Sequence, residues 1–335
     1  MGKPIKTVQI SNTALASTTA PITTNTVNQT FNQGFQTGNS LMHNIQLRYS
    51  GNLNLTGATP AGSVNTRGGL GNIRGLWLQS NGHGVIVNGL DGLHLHHLAF
   101  YRNGVRPVAN DIPAATNGTP DYDYFIPIDF RDPKAARPND CSIDMARVQY
   151  MEARLNLAGV SPDFITGGTY TLRENSVANW EMESDIDPGP VAANDVPLFK
   201  PYYDIAKEPI NQTATAYSIK LPYGGRLVRK YCLEQRLSSG ANGALQANTI
   251  VGANDNDRLS LSVGSYAWKY RVQWLALQSK NQHEMRLASG MPVGCAVLNF
   301  ALNDSRGYLG SEVLGLNNAE GSTPQVELNI DVTSV

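Results

Sequence analysis

One pattern of strands, turns and caps occurs twice along this chain, and it narrows the possible folds more than any single motif does. In the first half, IRGLWL (73–78) and Val85–Val87 flank the hairpin-like SNGHG, and Gly89-Leu90-Asp91 then opens a helical stretch. A Pro/Asn/Gly-rich loop follows, and then the apolar strand YFIPIDF (124–130). In the second half, LSLSV (259–263), Gly264-Ser265 and CAVLNFAL (295–302) take the equivalent places, and QVELNIDV (325–332) closes the series. Further strand signals lie at 43–50, 148–157, 169–173, 216–221 and 226–237. The order repeats without identity, which implies two domains of one architecture. A chain of 335 residues has room for two domains of roughly 150–180.

Helices are expected where a cap precedes a periodic run. Asp91 as N-cap and Gly104 just past the end predict a helix over 92–102. Ser265 as N-cap predicts a second over 266–286. There, however, Tyr266, Trp268, Tyr270, Val272 and Trp274 also alternate at period two, so a strand is the other reading. The acids, prolines and glycine of ESDIDPGPVAANDVP (183–197) read as a linker.

Charge is sparse. Only 16% of residues are charged and the formal net charge is −1, which excludes a general electrostatic grip on nucleic acid. With 32 Gly and 18 Pro, the composition suits a turn-rich all-β fold. Between Lys6 and Arg48 there is no charged side chain, and residues 11–40 are mostly Thr, Asn, Ser and Gln. Two readings fit that segment: a disordered polar leader, or an ordered arm pairing with a neighbour, anchored by Phe31 and Phe35. The expectation carried forward is an assembly arm outside both cores. Cys141, Cys232 and Cys295 are scattered without CxxC spacing, so neither a disulfide framework nor a zinc knuckle is indicated. Neither a signal-like apolar run nor a stretch of ~20 apolar residues is present, which reads as a chain made in a reducing cytoplasm. The sequons at Asn28, Asn54, Asn117, Asn211 and Asn303 then carry little meaning.

The runs IQLRYSG (45–51), IRGLWL, VNGLDGLHLHHL (87–98) and FIPIDF (125–130) resemble the double-jelly-roll major capsid proteins of tailless, internal-membrane icosahedral bacteriophages of the corticovirus and tectivirus type. That resemblance implies an all-β fold of two tandem eight-stranded jelly-roll β-sandwiches with short inserted helices. Residues 1–40 would form the N-terminal arm, 41–187 the first jelly roll and 188–335 the second. It also implies a homotrimeric capsomer in an icosahedral shell, with minor capsid or vertex proteins and an internal viral membrane as partners. The implied location is the virion capsid after synthesis in the host cytoplasm, with neither catalysis nor sequence-specific nucleic acid binding. The second half departs from the family pattern in a long insertion-like stretch within 198–258. Two other readings use the same sandwiches: a lectin-like or receptor-binding viral spike module, and a β-sandwich carbohydrate-active enzyme.

Several residue groups invite a chemical reading, each beside a plainer one. His94, His96 and His97, with His83 nearby, are metal-ligand types, but the plainer reading is a packed or solvated short helix. Asp255 and Asp257 in GANDNDR look like a fragment of a calcium loop, yet the later bidentate acid is missing. Glu181, Glu183, Asp185 and Asp187 invite comparison with paired glycosidase carboxylates, but read as solvated charge beside the linker. Trp77, Trp180, Trp268 and Trp274 suit a sugar site or, more commonly, a sandwich core. GGLGNIRG (68–75) lacks dinucleotide-binding spacing, and the chain has no GxSxG, HExxH or P-loop. No residue is therefore assigned a catalytic, cofactor-binding or metal-binding role, and no cofactor is expected.

Overall fold

A computed structural model describes residues 6–14, 25–32, 40–52, 54–55, 63–64, 68–71, 73–104, 109–110, 121–131, 139–157, 165–166, 170–171, 179–187, 191, 193, 196–198, 200–222, 228–236, 251, 258–263, 266–300 and 326–333. The chain divides into two compact units, the first running to Asp204 and the second beginning at Ile205.

The strands of the first unit include β1 (Lys6–Ala14), β2 (Asn25–Asn32), β3 (Leu41–Met42), β4 (Asn44–Asn52), β5 (Ile73–Ser80), β6 (Gly84–Leu90), β7 (Asp121–Asp129), β8 (Tyr150–Leu157), β9 (Asn179–Asp187) and β10 (Tyr203–Asp204), with two-residue strands such as Ala109–Asn110 and Ile143–Asp144 completing the larger sheet. A seven-stranded sheet is built around β4, which pairs antiparallel with β7 on one side and β9 on the other. A five-stranded sheet runs in the order β10-β6-β5-β8-β2. Each sheet buries one set of alternating side chains. Ile45, Leu47, Tyr49, Tyr122, Tyr124, Ile126 and Ile128 come from the first, and Leu76, Leu78, Met151, Ala153 and Leu155 from the second. At His43 the strand changes register: three residues separate Met42 from Gln46, against two between their partners Ile186 and Glu183. This bulge frees the His43 carbonyl to accept from both Phe130 N and Arg131 N, at 2.8 and 2.9 Å.

Helix α1 (Gly92–Asn103) confirms the first expected helix. Asp91 is its N-cap and accepts from His94 N at 2.9 Å. Gly104 ends it at φ 74, a left-handed conformation in which glycine has no Cβ to strain.

Three sequence expectations change here. β1 and β2 fall within the supposed arm, yet β1 pairs with β9 and β2 with β8, so both backbones extend sheets of their own unit. The open edges of β8 and β9 are satisfied from within the chain. Phe31 lies in β2, while Phe35 is outside the described residues. The supposed linker from 183 begins inside β9, a strand with neighbours on both edges. Finally, β10 pairs parallel with β6, which carries the first unit to Asp204, past the expected division at 187/188.

The second unit contains β11 (Ala214–Leu221), β12 (Lys230–Glu234), β13 (Arg258–Val263), β14 (Tyr266–Gln273), helix α2 (Trp274–Glu284), β15 (Cys295–Asn299) and β16 (Val326–Val332). A four-stranded sheet runs β11-β16-β13-β14, and β12 pairs with β15 in a second. Leu259, Leu261, Leu328 and Ile330 from the first sheet meet Ala296 and Leu298 from the second, with Trp274 and Leu277 of α2, in one buried cluster. The expected helix over 266–286 is therefore half wrong. Residues 266–273 follow their period-two alternation into a strand, and the helix starts at Trp274. Its N-cap is Gln273, which makes no side-chain cap bond, so Ser265 does not cap it. From Trp274 onward the buried positions Trp274, Leu277 and Asn281 follow helical spacing.

Two buried amides act as substitute strand partners. Asn281 donates to Val297 O and accepts from Val297 N, both at 2.8 Å, closing that stretch of the β15 edge. Gln235 does the same for Val251, at 2.8 and 2.9 Å.

Two substitutions check these assignments by thermal unfolding. Asp91→Ala should cost on the order of 1 kcal/mol through the lost cap. Asn281→Ala should cost roughly 2–4 kcal/mol, because it strands two buried backbone groups at once.

Candidate assembly interface

The outer face of the five-stranded sheet is the most distinctive described surface of the first unit. Trp77 on β5 stands opposite Arg154 on β8. A Cβ on Gly75 would lie 2.6 Å from the Trp77 ring and one on Gly89 3.2 Å away, so the indole occupies space that two absent side chains leave. The Arg154 guanidinium lies over that ring, 4.3 Å from its centroid. The next cross-strand pair is satisfied internally: Gln79 Nε2 donates to Glu152 Oε2 at 2.8 Å. Val85, opposite Gln79, is 41% exposed, and Tyr150 is 43% exposed.

The seven-stranded sheet presents a different outer face. Phe125 is 41% exposed, and the exposed Asp121 stands on the same side of β7. Between them Asp123 is held by Arg48, whose Nε and Nη2 donate at 2.9 and 2.6 Å.

At the β5–β6 turn, Asn81 Oδ1 accepts from Gln149 N at 2.8 Å, and Lys200 Nζ donates to Gly82 O at 3.3 Å. His83 sits in this turn. Burial holds its imidazole below the ordinary value of 6.5; the Asp144 backbone and carboxylate oppose that, while Lys200 and Arg147 add to it.

The histidine group does not converge on one point. His94 Nδ1 is held by Asp91 Oδ1 at 2.6 Å, while His96 and His97 are buried in packing, their ring centroids 5.9 Å apart. Among the described residues, no three His, Cys, Asp or Glu side chains are grouped to hold a metal ion. Asp255 and Asp257 lie outside the described residues. Glu181, Glu183, Asp185 and Asp187 lie in β9, not in a linker; the sequence signal was their alternation with Trp180, Met182, Ser184 and Ile186. Trp180 and Trp268 are strand residues, and Trp274 is core at 1% exposure. Trp77 departs from the core reading: it is half-buried on the outer face of the sheet, its ring lying against Gly75 and Gly89.

No family model matches the chain, and no curated protein matches it. Among solved structures it is similar to the major capsid protein of Sulfolobus turreted icosahedral virus, with a TM-score of 0.63 and 14% identity, over 99% of this chain and 93% of that one. It is also similar to the PBCV-1 virus capsid, with a TM-score of 0.54 and 11% identity, over 98% and 84%. Both neighbours are double jelly rolls. The chain has the double-jelly-roll fold. The expected all-β architecture with few helices holds.

The His83 environment makes a pH prediction. A histidine with a lowered folded-state pKa binds its proton more readily when unfolded, so its contribution to stability is present above the ordinary pKa and lost as pH falls through it. Melting temperature should therefore drop between pH 7 and pH 5, and His83→Gln should make that drop smaller.

Proposed function

We propose that this chain is a viral major capsid protein, a structural component that self-associates into an icosahedral shell. The observation that carries the reading is the extent of the structural match: 99% of this chain aligns with 93% of a viral major capsid protein. Physical chemistry supports the same use. Sandwich edges and faces offer backbone and apolar groups for pairing between copies, and a net charge of −1 keeps repulsion between packed copies small. The finer reading is a homotrimer in which six jelly rolls form a pseudo-hexagonal block able to tile a lattice. Minor capsid or vertex proteins and an internal viral membrane would complete the particle, with synthesis in the host cytoplasm. No catalytic step is assigned to the chain.

The purified protein should sediment as trimers that coalesce into large particles visible by negative-stain microscopy. A stable monomer at high micromolar concentration would count against the shell. If that monomer bound glycan arrays it would favour the spike module, and if it hydrolysed a polysaccharide panel it would favour the enzyme.

A further inference from the structure

We propose that Asn81 is a self-modifying site, at which the Asn81–Gly82 step of the β5–β6 turn closes to a succinimide and reopens as an aspartyl or isoaspartyl residue. The inference stands apart from the shell-forming reading and needs only this chain and water.

Ring closure joins Gly82 N to Asn81 Cγ. As that bond forms, the Gly82 amide proton passes to hydroxide from solvent, and the carbonyl electron pair moves onto Oδ1. The intermediate collapses by breaking the Cγ–Nδ2 bond, and Nδ2 takes a proton from water and leaves as ammonia. Water then adds to one of the two ring carbonyls. Opening at Cγ gives the aspartyl chain, and opening at the Asn81 backbone carbonyl gives the isoaspartyl one. In sum, a carboxamide and water become a carboxylate and ammonium, with no change of oxidation state.

Three conditions favour that sequence, and the turn supplies all of them. The attacking nitrogen is uncommitted: among the described residues, Gly82 N donates to no partner. The carbonyl is polarised: Oδ1 accepts from Gln149 N at 2.8 Å and from Tyr150 N at 3.3 Å. Two backbone donors thus aim at the atom on which negative charge grows, and they need no rearrangement as it does so. The leaving group is unheld, since Asn81 is exposed and no described residue bonds its Nδ2. Packing also fixes residue 82 as glycine, which leaves the attack unhindered. A Cβ there would lie 1.9 Å from Arg147 O.

The same dipeptide occurs elsewhere without these conditions. Of five Asn-Gly steps in the chain, those at Asn117 and Asn242 lie outside the described residues. At Asn103 the attacking nitrogen is engaged, because Gly104 N donates to Phe100 O at 2.8 Å. At Asn88 the leaving nitrogen is held, because Nδ2 donates to Asp204 Oδ1 at 3.0 Å. The fold therefore separates three sites that local sequence chemistry makes alike. An aspartyl product at 81 would place a carboxylate on the Gln149 and Tyr150 amides and shorten those bonds. An isoaspartyl product would lengthen the backbone by one carbon in a turn that already touches Arg147 O.

Peptide mapping by mass spectrometry tests the site on the full chain, held in mildly alkaline buffer with and without urea. Native Asn81 should convert at least about tenfold faster than native Asn88 and Asn103, and in urea the three rates should converge. Isoaspartyl should accumulate at position 81 beside aspartyl, as ring opening requires. Gln149→Pro removes the shorter of the two donors and should slow native conversion about tenfold. Should that variant fail to fold, the comparison of native protein with urea decides alone. An intact native Asn81 that converts in urea would overturn the proposal, as would Asn88 or Asn103 keeping pace with it. Aspartyl without isoaspartyl, or an unchanged rate in folded Gln149→Pro, would overturn it equally.

Discussion

Strand β4 hydrogen-bonds on one edge to β7 and on the other to β9, segments far from it in sequence. The rest of the first unit depends on that double pairing. It fixes which side chains of three strands face inward, since a slip of one residue would turn Ile45, Leu47 and Tyr49 to solvent and bring Arg48 into the core. It also sets the outward row on which Arg48 reaches Asp123 and Phe125 is left exposed. The bulge at His43 ends the regular stretch, and its carbonyl gathers two amides from the chain leaving β7. Loop closure over such separations costs entropy before any contact repays it, so the core and the register must form together.

The two units handle their sheet edges differently. In the first, β1, β2 and β10 add further strands to sheets that would otherwise end at β9, β8 and β6. In the second, side chains stand in for a strand: Asn281 closes part of the β15 edge, with Gln278 Nε2 donating to Cys295 O at 2.9 Å alongside it. A buried amide with both groups satisfied is stable, and it also denies that edge to a foreign strand. The Trp77–Arg154 stack sits on the outer face of the five-stranded sheet, over two glycines where larger residues would collide with the indole.

Much of the architecture was legible locally. Period-two alternation located most strands, and Asp91 with Gly104 bracketed α1 because a cap and a left-handed glycine act within one turn of the backbone. The same alternation was present in WEMESDID (180–187), where acids at every second position read as linker charge and the intervening Trp180, Met182 and Ile186 went unweighted. At 266–286 two periodicities overlapped on Trp274, which both ends the strand alternation and begins the helical one. A single residue shared by two patterns cannot say where one gives way to the other.

By itself the sequence determined the all-β class, the two-fold repetition of pattern and the position of the first helix, since each rests on the conformational preference of neighbouring residues. Tertiary structure alone decided which strands share a sheet, that residues 6–14 and 25–32 pair within their own unit, and that the first unit runs to Asp204. It alone also placed Arg154 over Trp77. Those outcomes depend on backbone edges and faces contributed by segments scores of residues apart, and nothing in a local run of residues encodes which distant edge will meet it.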